Sequence, residues 1–268
     1  LVASAQTPYD SLLSSRFAAD QAGASVLVMK EGKVLFAQGY GLANRELKVP
    51  NRPEFVFRIG SVTKQFTAAA VMTLVEEGKV GLEAPIGTYL PELPEAWRPV
   101  TVRQLLQHTS GIPSYTDTPE YGAHMREDLP GLALLKAHVW SKPMDFAPGA
   151  QWRYNNTGYY LLGLLVEKAS GQPYATYLQT RFFGPLGLTR TRYGTETDFI
   201  PGMVSGYAPG GKPAPYLSMS QPYAAGSLVS SAEDLARWTL ALHGGKVVKP
   251  ESLKLMTTPA RTTDGKEH

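Results

Sequence analysis

Ser61 and Lys64 stand three residues apart at the head of a run, Gln65 to Val75, in which almost every residue is apolar, small or threonine. Such a run reads as a helix buried on most of its circumference, with Gly78 as its C-terminal stop. A lysine in the first turn opposes the helix macrodipole, and its burial is costly unless the charge is used. The spacing puts Ser61 and Lys64 on one face, one turn apart. A desolvated lysine can lose its proton near neutral pH and take the proton of the serine, while amide N–H groups at the helix entrance stabilise an oxyanion. The same letters also suit a capping serine beside a lysine whose stem lies along apolar surface.

A second group lies in Phe146-Ala147-Pro148-Gly149-Ala150-Gln151-Trp152-Arg153-Tyr154-Asn155-Asn156-Thr157-Gly158-Tyr159. Tyr154 and Asn156, two apart just before a helix, can present a phenol and an amide to one cleft. A phenol beside an ammonium can shuttle a proton to a leaving group, and the amide can hold Lys64 and a substrate carbonyl. The bland alternative is a helix-capping asparagine with a packed tyrosine.

The elements that must position these groups follow from the rest of the chain. Its 268 residues, 43% hydrophobic and 18% charged, suit one large ordered domain or two entwined ones. The net charge of +3 is scattered without a basic block, which gives no support to a nucleic-acid or membrane surface. With no cysteine, disulfides, thiol catalysis and zinc ribbons are excluded, and five histidines without acidic clusters argue against a metal site; no cofactor is expected. Ala3-Ser4-Ala5 fits a signal-peptidase remnant, so a periplasmic or extracellular location is expected, without a membrane span.

Thr7-Pro8 opens a helix expected to run through Asp20, and Ser25–Met29 and Lys33–Gln38 form a hairpin turning at Glu31-Gly32. Phe55–Ile59 is a short apolar run, strand or loop, leading into Ser61. Thr101-Val102-Arg103-Gln104 is a capping box opening a short helix. Helices are expected over Leu129–Val139, Thr157–Ala169, Pro173–Phe182, Ser231–Leu242 and Glu251–Thr257. Met203–Tyr223 is a long loop, and Ala225–Val229 reads as a strand. The expected class is α/β (α+β), an antiparallel sheet flanked by helices plus an all-helical region. Residues 1–62 would start the sheet domain, 63–204 form a mostly helical domain, and 205–268 return to the sheet.

In this order, the S-x-x-K helix, Leu105-Leu106-Gln107-His108-Thr109-Ser110-Gly111-Ile112-Pro113, F-x-P-G-x-x-W-x-Y-x-N, Gly184-Pro185-Leu186-Gly187-Leu188-Thr189 and Ala225-Gly226-Ser227-Leu228 resemble the serine β-lactamase and penicillin-binding-protein superfamily. The nearest branch is the class C-like one, which also holds D-amino-acid peptidases and carboxylesterases. The resemblance implies a β-lactamase/transpeptidase-like fold in which Ser61 is acylated, Lys64 activates it, Tyr154 is the partner base and acid, and Asn156 lines the site. Tyr115 would face the entrance or pack as an ordinary aromatic, and His108 would be structural.

The absence of Ser-Asp-Asn argues against deacylation driven by a carboxylate. The superfamily's third motif, Lys or His followed by a small residue and Gly on a strand, is not found after the last helix. His243-Gly244-Gly245 fits its letters but reads as a helix stop. The C-terminal sheet strands are therefore expected on a separate polypeptide or lost by cleavage.

The implied function is a serine hydrolase acting through an acyl-enzyme on a β-lactam, D-peptide or related amide. A carboxylesterase with the same residues and a non-turnover penicillin-binding sensor are the alternatives. No G-x-S-x-G, H-E-x-x-H or P-loop motif competes.

Overall fold

A computed structural model of the protein describes residues 8–268, so Ala3-Ser4-Ala5 lies outside the described residues. In chain order the elements are α1 (Pro8–Ser14), β1 (Ala24–Lys30), β2 (Lys33–Tyr40), β3 (Leu42–Asn44), β4 (Val49–Pro50), β5 (Phe57–Arg58), α2 (Thr63–Glu76), α3 (Val102–Leu106), α4 (Tyr121–His124) and α5 (Leu132–His138). They continue with α6 (Asn156–Ser170), α7 (Tyr174–Leu178), β6 (Arg192–Tyr193), α8 (Tyr223–Gly226), β7 (Leu228–Ser230), α9 (Ala232–His243) and α10 (Pro250–Thr257). The class is mixed α/β, as expected. Among the described residues the strands form three small antiparallel sheets, β1-β2, β3-β4 and β5-β7-β6.

Glu31 and Gly32 both take positive φ (+51° and +76°), the backbone a two-residue hairpin turn demands, and they close β1 onto β2. The capping box at Thr101 is present in both directions, so α3 starts where its sequence says. Gly171 in the left-handed conformation ends α6, and Ser231 caps α9 by accepting from the Asp234 amide. The N-terminal helix stops at Ser14 rather than Asp20.

Phe66, Ala69, Ala70, Val71 and Leu74 of α2 are fully buried, and the helix packs against α6, α7, α8 and α10. Alanines at its contact positions let neighbouring backbones come close. Phe66 stacks on Trp238 of α9 with ring centroids 4.0 Å apart, and the Trp238 indole N–H donates to Gln65 Oε1 at 2.7 Å. The small sheet is tied to the head of α2: the Ile59 N–H donates to Leu228 O (3.0 Å), and the Leu228 N–H to Thr63 Oγ1 (3.1 Å). Ser61, between these two anchors, is thereby fixed relative to β7.

The strand expected at Ala225–Val229 begins only at Leu228, and Tyr223–Gly226 is a helical turn. Successive carbonyls of a strand point to opposite sides, whereas those of a helical turn point the same way. Here the carbonyls of Ala224 and Ala225 are both turned to α2, where Thr67 Oγ1 donates to the first (2.7 Å) and Lys64 Nζ to the second (2.8 Å). A strand could serve only one of them.

Replacing Phe66 with Ala removes the ring that joins α2 to α9 and leaves a cavity, an expected loss of about 3–5 kcal/mol. Urea unfolding would measure it; a loss below about 1 kcal/mol would mean that α2 is not the centre of the core.

Candidate active site

Ser61 lies in a short 3-10 turn, Gly60–Val62, that runs into α2, and its side chain is exposed. One turn on, Lys64 is buried in the first turn of α2. Its Nζ stands 3.3 Å from Ser61 Oγ and donates to Asn156 Oδ1 and to the Ala225 carbonyl, both at 2.8 Å. The Tyr154 hydroxyl donates to Ser61 Oγ at 2.6 Å, and Lys64 Nζ lies 4.7 Å from the centre of the Tyr154 ring. Lys64 and Tyr154 thus converge on Ser61 Oγ, and Asn156 joins them through the lysine amine.

Two consecutive asparagines divide two tasks. Asn155 is the cap of α6: its Oδ1 accepts from the Gly158 amide at 2.7 Å, and its Nδ2 donates to Ile112 O at 2.6 Å. That leaves Asn156 free to face Lys64. Its amide cannot be reversed without loss, because Nδ2 donates to Thr116 Oγ1 at 2.9 Å while Oδ1 receives the amine. The Ala225 carbonyl and Thr116 were not among the residues singled out in the sequence. The first is a main-chain atom, which carries no side-chain signal, and the second is an ordinary loop threonine until the fold places it.

Tyr115 is not brought to the cleft. It is 1% exposed, its hydroxyl donates to Gln221 O at 2.8 Å, and its ring packs edge-on against Tyr121 and Tyr160. Burial drives its hydroxyl pKa well above the usual phenol value. His243-Gly244-Gly245 is the end of α9, with Gly245 at φ +70°.

A cavity of about 580 Å³ opens beside Lys64, walled by Ala68, Met72, Leu82, Leu106, Tyr159 and Met256. Arg103 and Trp152 stand among its other residues. Among the described residues no carboxylate bonds to Ser61, Lys64 or Tyr154, and none of the His, Asp and Glu side chains form a group able to hold a metal ion.

The family profile described as Beta-lactamase matches residues 12–266, and the chain belongs to that family. PbpX of Bacillus subtilis (strain 168) is 30% identical over 242 residues, 89% of this chain and 59% of its own length. Among solved structures, the octameric penicillin-binding protein homologue from Pyrococcus abyssi is 31% identical with a TM-score of 0.80, covering 95% of this chain and 60% of that one. The D-stereospecific amidohydrolase from a Streptomyces species is 29% identical with a TM-score of 0.79, covering 94% and 77%. The chain spans 38% to 59% of the length of the first curated relatives it matches. These comparisons give no support to the expected separate C-terminal polypeptide. Among the described residues no helix is long and apolar enough to cross a membrane.

Burial holds the Lys64 ammonium down to a pKa of about 7, far from its ordinary value of 10.5. The unfolded chain therefore binds more protons than the folded one between about pH 7 and pH 10.5, and stability rises with pH across that window. Below pH 7 the folded state must house a charged amine. The expected outcome is that wild type gains about 1–4 kcal/mol on Lys64→Met between pH 7 and pH 10, read by urea unfolding at both values. A difference that stays constant with pH would show that the amine is charged in the fold throughout.

Proposed function

We propose that this chain carries the acylating machinery of a serine hydrolase that opens a β-lactam or a related D-amino-acid amide. The observation that carries the reading is the hydrogen-bond pattern at Lys64. A neutral amine has two N–H groups and one lone pair. Both N–H groups find carbonyl acceptors, Asn156 Oδ1 and Ala225 O, and the direction left for the lone pair is Ser61 Oγ at 3.3 Å. Asn156 and Ala225 thus aim the base, and burial makes its unprotonated form available near neutral pH.

In the reaction, Ser61 passes its proton to Lys64 Nζ as its oxygen forms a bond to the substrate carbonyl carbon. Collapse of the tetrahedral intermediate breaks the C–N bond, and the Tyr154 hydroxyl, 2.6 Å from Ser61 Oγ, delivers a proton to the departing nitrogen. Lys64 then returns a proton to Tyr154, and water repeats the sequence on the ester to release the acid. The cavity beside Lys64 has a mixed apolar and polar wall, and neither Ser61 nor Tyr154 lines it, so it carries no argument for the acyl group. The penicillin-binding homologue and the D-stereospecific amidohydrolase that this chain resembles support the amide class of substrate. The Ala3-Ser4-Ala5 segment fits action outside the cytoplasm.

The test is an acid-quenched intact-mass spectrum after exposure to benzylpenicillin, D-phenylalanine amide and a nitrophenyl butyrate ester, beside Ser61→Ala. A β-lactam should add its whole mass, since ring opening expels no fragment, and the adduct should be missing in Ser61→Ala. An adduct that survives in Ser61→Ala, or none with all three donors, overturns the reading. Acylation of the ester alone would replace the amide class by a carboxylesterase, and a penicillin adduct that never decays would indicate a sensor.

Two rate measurements extend the test. The acylation rate should rise with pH through an inflection near 7, where Lys64 loses its proton. Tyr154→Phe should slow acylation by about 10²–10⁴-fold, the usual range for a positioned acid or base.

A further inference from the structure

Tyr154 is half exposed and sits on an irregular segment ahead of α6, yet its hydroxyl must stay within hydrogen-bond reach of Ser61. Arg153 pairs with Asp117 and Asp145 and Asn155 Nδ2 donates to Ile112 O, but the residue that reaches both neighbours of Tyr154 through their amides is in the loop after α3. The His108 carbonyl accepts from the Arg153 amide at 2.9 Å, and His108 Nδ1 accepts from the Asn155 amide at 3.1 Å. One residue therefore fastens the backbone on both sides of Tyr154. Its ring also lies against the tyrosine, with centroids 4.7 Å apart and planes 37° apart, and it meets Tyr159 at 5.1 Å and the edge of Trp152 at 6.1 Å. The backbone of His108 is left-handed, φ +60°, a conformation glycine would adopt without strain.

We propose that His108 is the positioning residue of the site, which sets the place of the Tyr154 hydroxyl through two backbone hydrogen bonds and a ring contact. The inference rests on Tyr154 acting as acid and base in the reaction described above. Accepting at Nδ1 requires a neutral ring with its proton on Nε2. Burial, helped by the nearby charge of Lys64, pushes the imidazole pKa down to about 4. The ring therefore stays neutral over the range in which Lys64 titrates.

The experiment is a double-mutant cycle on the acylation rate with His108→Gly, Tyr154→Phe and the pair. Glycine accepts the left-handed backbone, so the variant removes the ring and its nitrogen without adding strain. In the wild-type background His108→Gly should slow acylation by about 100-fold with KM within about threefold, as a misplaced catalytic group does. In the Tyr154→Phe background the same change should cost less than about threefold. His108→Asn, which offers an acceptor oxygen close to Nδ1 and tolerates positive φ, should recover about tenfold of the loss.

Equal losses in both backgrounds, or a His108→Gly enzyme within threefold of wild type, would overturn the proposal. A Tyr154→Phe enzyme as fast as wild type would sink the catalytic reading first, and the inference with it. A readout independent of turnover is the nitrogen-15 spectrum of the His108 ring at pH 6. A neutral ring protonated at Nε2 is expected, and an imidazolium or the other tautomer contradicts the model of an accepting Nδ1.

Discussion

The constraint on which the structure depends is the burial of one amine. Lys64 cannot lie inside the protein as an unsatisfied group, because a desolvated ammonium without acceptors costs several kcal/mol or more. Its acceptors come from parts of the chain far apart in sequence: Asn156 at the head of α6 and the Ala225 carbonyl in α8. Both elements must pack on α2 before the amine is satisfied. The core and the chemistry are therefore one assembly, and the α2, α6 and α8 contacts that exclude water are also what lowers the lysine's pKa.

Around this amine, neighbouring residues take separate duties. Asn155 caps α6 and Asn156 faces the lysine; Thr63 receives the Leu228 amide, and Ser61, two residues earlier, remains exposed. Thr67 and Tyr174 bond to each other at 2.6 Å beneath the site, and Thr67 also donates to the Ala224 carbonyl. That second bond steadies α8 next to the carbonyl that Lys64 uses. Gly111 allows the loop after α3 to touch the 146–153 segment: at φ +72°, a Cβ there would come within 2.0 Å of the Phe146 carbonyl oxygen. In the same loop His108 accepts from the amides of Arg153 and Asn155 on either side of Tyr154.

The membership of the Beta-lactamase family, together with the likeness to penicillin-binding and D-stereospecific amidohydrolase structures, agrees with a site built around a serine. What the site adds is a direction for each proton. The amine's two donors face carbonyls and the phenol lies at hydrogen-bond distance from Ser61 Oγ, so the proposed proton path from Ser61 to a leaving group uses no carboxylate.

The residue pattern by itself determined the buried helix with its misfit lysine, the hairpin at Glu31-Gly32, the capping box at Thr101 and the helix before Gly171. Each is a local matter of periodicity, φ and caps. It also offered Ser61, Lys64, Tyr154 and Asn156 as candidates beside ordinary capping and packing roles, and the family resemblance chose between them. Only the tertiary structure decided that Tyr115 is core, that Tyr223–Gly226 is a helical turn, and that His108 grips the Tyr154 segment. The reason is the same in each case. These depend on which distant backbone groups need partners, and a carbonyl such as that of Ala225 carries no mark in the sequence until packing turns it toward a buried amine.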